Sequence, residues 1–108
     1  MAYDEALAER VRAQLDEEPG VTERKMFGGI AWMLEGNMAV GLISTGLLVR
    51  LGPGAEGALE EPHASPPMMG SRVMRGFVVV APEGVEEDEQ LAAWMARGSD
   101  VARSLPPK

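Results

Sequence analysis

The sequence contains no cysteine. That absence excludes disulfides, thiolate nucleophiles, thiolate zinc sites and iron–sulfur clusters together. Histidine is nearly missing as well. His63 stands alone, so a histidine-based metal site would need carboxylates or a second chain. It sits in a proline-rich stretch beside Glu60 and Glu61, where a solvated loop side chain is the simpler reading. Aromatics are limited to Tyr3, Phe27, Trp32, Phe77 and Trp94, so the core must rest on Leu, Val, Ile and eight Met. No apolar run approaches the roughly 20 residues that span a bilayer. The opening Met1-Ala2-Tyr3-Asp4-Glu5 lacks the basic-then-apolar pattern of a secretory signal. A cytoplasmic location without membrane contact is the expectation.

Catalytic signatures are missing too. The five serines lie in no Gly-x-Ser-x-Gly elbow, and Gly28-Gly29 is not followed by the Lys-Ser/Thr of a phosphate loop. The acid runs Asp16-Glu17-Glu18 and Glu86-Glu87-Asp88-Glu89 do not place ligands at alternate positions around a glycine, as a calcium loop requires. The sequence therefore predicts no enzyme, no cofactor and no metal site.

What is present fits one folded domain over residues 1–108, with 45% hydrophobic and 25% charged residues. The net charge is −7, and it is unevenly spread. Residues 1–20 hold six acids against two bases, and residues 83–90 hold five acids and no base. Residues 21–82 balance at five each. Nucleic-acid affinity comes mainly from clustered Lys and Arg on phosphates. An acidic chain with no basic run is a poor candidate for direct nucleic-acid binding.

Leu7, Val11 and Leu15 recur at helical spacing, which predicts an amphipathic helix over 4–17 with Asp4 as its N-cap and Pro19-Gly20 as its stop. Residues 23–51 read as a three-strand meander. Its first strand runs from Arg24 to Leu34, its second from Met38 to Ile43 and its third from Leu47 to Leu51. Glu35-Gly36-Asn37 supplies turn chemistry, with positive φ expected at Gly and Asn. Gly28-Gly29 implies a bulge, a bend or close backbone approach within the first strand. Pro53 to Glu61 reads as a short helix, and residues 62–71 as an irregular connection or a short edge strand. Val73 to Ala81 reads as a buried strand because Phe77-Val78-Val79-Val80 is a continuous β-rich run. Leu91, Trp94, Met95, Gly98, Val101, Ala102 and Leu105 mark a closing helix that packs closely or bends at Gly98. The predicted class is α+β: two layers, an antiparallel sheet of about five strands with packed helices, in the order α-β-β-β-α-(β)-β-α.

Arg24-Lys25-Met26-Phe27-Gly28-Gly29-Ile30-Ala31-Trp32, leading into Glu35-Gly36-Asn37 and Met38-Ala39-Val40-Gly41, resembles the hairpin of the N-terminal domain in the TfoX/Sxy family of bacterial competence regulators. Leu47-Leu48-Val49-Arg50, Arg72-Val73-Met74-Arg75-Gly76-Phe77, Leu91-Ala92-Ala93-Trp94 and Leu105-Pro106-Pro107-Lys108 follow in the family's order. The resemblance implies a two-layer α+β domain of the type that full-length relatives join to a second, helical domain. It also implies a role in transcription regulation as a coactivator. This chain is expected to correspond to the first of those domains alone.

Two surfaces are candidates for contact. Met26, Phe27, Gly28, Gly29, Met68 and Met69 would form an interaction surface, since methionine lines adaptable binding faces as well as cores. Arg24, Lys25, Arg50, Arg72 and Arg75 would form a patch for an anion or an acidic partner if strand pairing gathers them. Ordinary cross-strand pairing with Glu23 and Glu35 is the competing reading for those bases. The functional expectation is a non-catalytic regulatory module with a protein partner, as monomer or homodimer. A small-anion or metabolite sensor using Arg50, Arg72 and Arg75 is the alternative.

Overall fold

The first helix, α1 (Glu5–Leu15), begins where the Asp4 carboxylate accepts hydrogen bonds from the backbone N–H groups of Ala6 (2.9 Å) and Leu7 (3.2 Å). Leu7, Ala8, Val11 and Leu15 form its buried stripe. The computed structural model describes residues 3–26, 28–69 and 71–106, with Met26 and Met69 as backbone only.

Four antiparallel strands follow: β1 (Val21–Met26), β2 (Gly29–Leu34), β3 (Asn37–Ile43) and β4 (Gly46–Arg50). The stretch expected as one strand, Arg24 to Leu34, is thus a hairpin, with Met26 paired to Gly29. Gly28 has φ +74°, a conformation open to glycine and costly for other residues. A Cβ on Gly29 would lie 2.0 Å from the Leu42 carbonyl oxygen, so β3 passes too close for any side chain there. At the next turn the positive φ angles fall on Glu35 (53°) and Gly36 (85°), while Asn37 is buried as the first residue of β3.

The β2–β3 register shifts between Trp32 and Met33: Val40 faces Trp32, and Met38 faces Met33. Ala39 is the extra residue of this bulge. The bulge sends Met38 to the opposite side of the sheet from Val40 and Leu42.

After β4 come a 3₁₀ turn (Gly52–Gly54), α2 (Ala55–Ala58) and β5 (Ala64–Ser65). The expected strand from Val73 to Ala81 is divided. Its first residue belongs to β7 (Arg72–Val73), which pairs with β6 (Met68–Met69), Met74 to Gly76 are a connection outside any strand, and the rest of the run forms β8 (Phe77–Val80). Gly76, with φ +83°, breaks the run, and its carbonyl accepts from Leu51 (2.8 Å) and Gly52 (2.9 Å). The six-stranded sheet has the order β1-β2-β3-β4-β8-β5, and β6–β7 is a separate two-stranded ribbon.

The last helix, α3 (Asp88–Arg103), starts with the Gln90 side chain accepting from the Glu87 N–H at 3.0 Å. It buries Leu91, Trp94, Met95, Gly98 and Ala102 against β2, β3 and β4. One side of the sheet carries Ile30, Trp32, Val40, Leu42, Leu47, Val49, Val78 and Val80 into the main core beneath α1 and α3. The other side carries Ala31, Met33, Met38 and Leu48, with Met74 and Phe77 packed on them. The fold is α+β with an antiparallel sheet and helices layered on it.

Candidate interaction surface

The four described arginines on or beside the helices are each held by a carboxylate. Arg10 reaches Asp88 at 3.2 Å, and Arg12 is bound by Glu9 and Glu23. Arg97 forks onto Glu61 at 3.0 and 2.8 Å while lying 4.4 Å from the Trp94 ring, and Arg103 meets Glu18 at 2.6 Å. Among the described residues, no carboxylate lies within ion-pairing distance of Arg24, Lys25, Arg50, Arg72 or Arg75. The expected pairing with Glu23 and Glu35 does not form. Glu23 instead receives Arg12 Nε at 2.7 Å and Trp32 Nε1 at 3.0 Å. Arg12 in the first place, and Trp32 and Lys25 to a lesser degree, hold its carboxyl below the ordinary glutamate value.

Strand register divides the five bases between surfaces. Arg24 pairs with Ala31, and so stands on the side of the sheet away from the helices. Lys25 pairs with Ile30 and belongs to the opposite side, with Glu23. Arg50 pairs with Phe77 and shares a side with Leu48. Three strand spacings separate β1 from β4, so Arg24 and Arg50 stand about 14 Å apart across the sheet. Arg50 is half-buried. One guanidinium nitrogen donates to the Met38 carbonyl at 3.5 Å, and its carbon lies 5.9 Å from the Phe77 ring centre. Those contacts orient the fork without neutralising it.

Arg72, Val73, Met74 and Arg75 line an open cleft of about 580 Å³ where the β6–β7 ribbon leads back to the sheet. Met74 anchors this segment: its side chain packs on the Ala31–Met33–Met38–Leu48 cluster, and its N–H donates to the Pro67 carbonyl at 2.9 Å. Beyond the anchor, Met68 and Val73 face each other across the ribbon and are 54% and 51% exposed. They are the large apolar side chains left in solvent among the described residues. Exposed apolar area flanked by unpaired cations is a surface suited to a partner.

The expected Met26–Gly29 surface is placed only in part. Phe27 and the side chains of Met26 and Met69 lie outside the described residues. Gly28 and Gly29 act in a turn and a close strand crossing. Val73 was not singled out by sequence, because the apolar run from Phe77 to Val80 drew it into a buried strand. Gly76 was the signal that could have separated them. His63 is exposed at φ 70°, and its carbonyl accepts from Ala81 N–H at 2.9 Å. It borders an open cleft of about 270 Å³ with Glu61, Trp94 and Arg97, where the guanidinium is already spoken for by Glu61. Among the described residues no group of three or more metal-ligating side chains comes together, and no helix is long and apolar enough to cross a membrane.

A family model described as the TfoX N-terminal domain matches residues 13–102. The chain matches no curated protein and no solved structure. The match takes in the sheet, the ribbon and nearly all of α3, and the chain belongs to that family.

Proposed function

We propose that this TfoX N-terminal domain is a non-catalytic regulatory module that binds another protein through the β6–β7 ribbon and the adjoining sheet face, without contacting DNA directly. The family's association with competence regulation supports a regulatory role. The observation that carries the proposal is the split between held and free arginines. Helix-side arginines are neutralised by carboxylates, while Arg24, Arg50, Arg72 and Arg75 have no carboxylate within ion-pairing distance among the described residues. Arg72 and Arg75 line one cleft with the exposed Val73, which faces Met68 across the ribbon. A net charge of −7 opposes approach to a polyphosphate, whereas a local cationic patch with apolar area fits a protein surface.

The experiment is affinity capture by the tagged domain, run beside an Arg72→Ala/Arg75→Ala variant, together with titration of duplex DNA. A protein retained by the parent and lost by the variant supports the module. Tight DNA binding by the domain alone, with no protein retained, removes it.

A second reading, a small-anion sensor, draws on Arg50, whose guanidinium is held by the Met38 carbonyl and the Phe77 ring. A thermal-shift screen of common metabolites separates the two. A ligand present at 100 times its Kd adds about 2.7 kcal/mol of stability, which such a screen resolves.

A further inference from the structure

Resting on the module reading, we infer that the partner presents an acidic segment interspersed with apolar side chains, and that Arg50, Arg72 and Arg75 take its carboxylates while Met68 and Val73 take its apolar groups. Three observations converge on that chemistry. Residues 36–55 and 62–82 contain no Asp or Glu, so β3, β4, the ribbon and β8 carry Arg50, Arg72 and Arg75 with no internal counter-charge. The Arg50 fork is pre-oriented by a carbonyl and a ring, which leaves further N–H donors for a carboxylate and reduces the ordering cost of binding. The cleft lined by Arg72, Val73, Met74 and Arg75 brings two cations and apolar side chains to one surface.

A nucleic acid fits the same surface less well. Single strands bind by stacking bases on exposed aromatics along a basic groove. Here Phe77 is half-buried with Arg50 above it, and among the described residues the exposed large apolar side chains are Met68 and Val73, neither of them aromatic. Recognition of carboxylates alone would leave the Met68–Val73 pair without purpose. A mixed acidic and apolar segment uses both halves of the surface.

The test is fluorescence anisotropy of the full chain with four labelled probes: a peptide alternating Glu with Leu and Phe, a poly-glutamate peptide of equal charge, a single-stranded oligonucleotide of equal charge, and labelled copies of the chain itself. The mixed peptide is expected to bind, and to weaken as salt is raised. Arg72→Ala/Arg75→Ala and Met68→Ser/Val73→Ser should each weaken it about tenfold, the loss of roughly one charge-assisted contact or of the apolar anchor. Lys25→Ala, on the other side of the sheet, should leave it unchanged. Unfolding curves of each variant establish that the surface changes spare the fold.

Equal affinity for poly-glutamate, tighter binding of the oligonucleotide, or preferential self-association through the ribbon would each overturn the inference. The module reading fails separately. It stands if the ribbon variants still lose a captured protein that lacks acidic segments, and it falls with the inference if those variants change nothing.

Discussion

The carbonyl oxygen of Ala39 lies 2.5 Å from the point where a side chain on Gly98 would begin. The bulge in β3 pushes that carbonyl toward α3, and the helix can sit against it only because position 98 has no Cβ. Gly98→Ala should therefore destabilise the fold, although alanine is the better helix former by about 1 kcal/mol. Overpacking against backbone costs about 1–3 kcal/mol, which outweighs the propensity gain. Urea denaturation would show a lower midpoint for the variant. An unchanged or higher midpoint would mean that α3 is free to slide outward.

Glu35 occupies a left-handed conformation at φ 53° and is followed by Gly36 at 85°, which is the pattern of a tight hairpin turn that favours Asn-Gly. For a residue other than Gly, Asn or Asp this conformation costs about 1 kcal/mol. Glu35→Asn should recover part of that and raise stability by about 0.5–1 kcal/mol. The Glu35 N–H already donates to the Gly20 carbonyl at 3.0 Å, a backbone bond the substitution keeps. A thermal melt of the variant should shift upward, and a downward shift would assign Glu35 a side-chain role in holding the Gly20 turn.

Helical periodicity made α1 and α3 legible, because a buried stripe such as Leu91, Trp94, Met95, Gly98 and Ala102 leaves its spacing in the sequence. Strands were harder where glycine carried the decision. Gly28-Gly29 signalled close approach, which Gly29 makes against Leu42, but gave no warning that the chain reverses there. Gly76 cut one apolar run into two strands in different sheets for the same reason: φ is a backbone property that hydrophobic pattern does not record. The five bases of the candidate patch were visible as residue types. Which of them share a side was not, since that depends on register, and register puts Lys25 with Ile30 and Arg24 with Ala31. That Glu23 serves Arg12 rather than a neighbouring strand was equally hidden, because it depends on where α1 crosses β1.

Asn37 is the buried polar side chain among the described residues, 2% exposed, and its amide donates to the Pro106 carbonyl at 2.9 Å. That bond ties the segment after α3 to the β2–β3 turn. Asn37→Ala removes the donor and leaves the Pro106 carbonyl to find water. A loss of about 1–2 kcal/mol in global stability is expected. Hydrogen exchange should also accelerate in the last turn of α3 before it does in the sheet. Equal acceleration everywhere would mean that the tie acts on the whole fold rather than on its end.

Arg12, Glu23 and Trp32 form a chain of bonds from α1 across β1 to the buried indole, and acid should dissolve it in a defined window. Arg12 depresses the Glu23 carboxyl below the ordinary 4.5. A group whose folded pKa is lowered lends stability that is fully present above its unfolded value and is lost as pH falls through its folded value. The loss therefore begins below about pH 4.5 and is complete only once the folded carboxyl is protonated. Because the pair is well exposed, solvent screening holds its contribution under about 1 kcal/mol. Glu23→Gln keeps an acceptor for the Trp32 N–H while removing the charge. It should be slightly less stable than the parent near neutral pH and equal to it in strong acid, where the parent's own carboxyl is neutral. Urea titrations across that range would reveal converging stabilities. A gap that stayed constant with pH would show that geometry, rather than charge, gives Glu23 its part in joining α1 to the sheet.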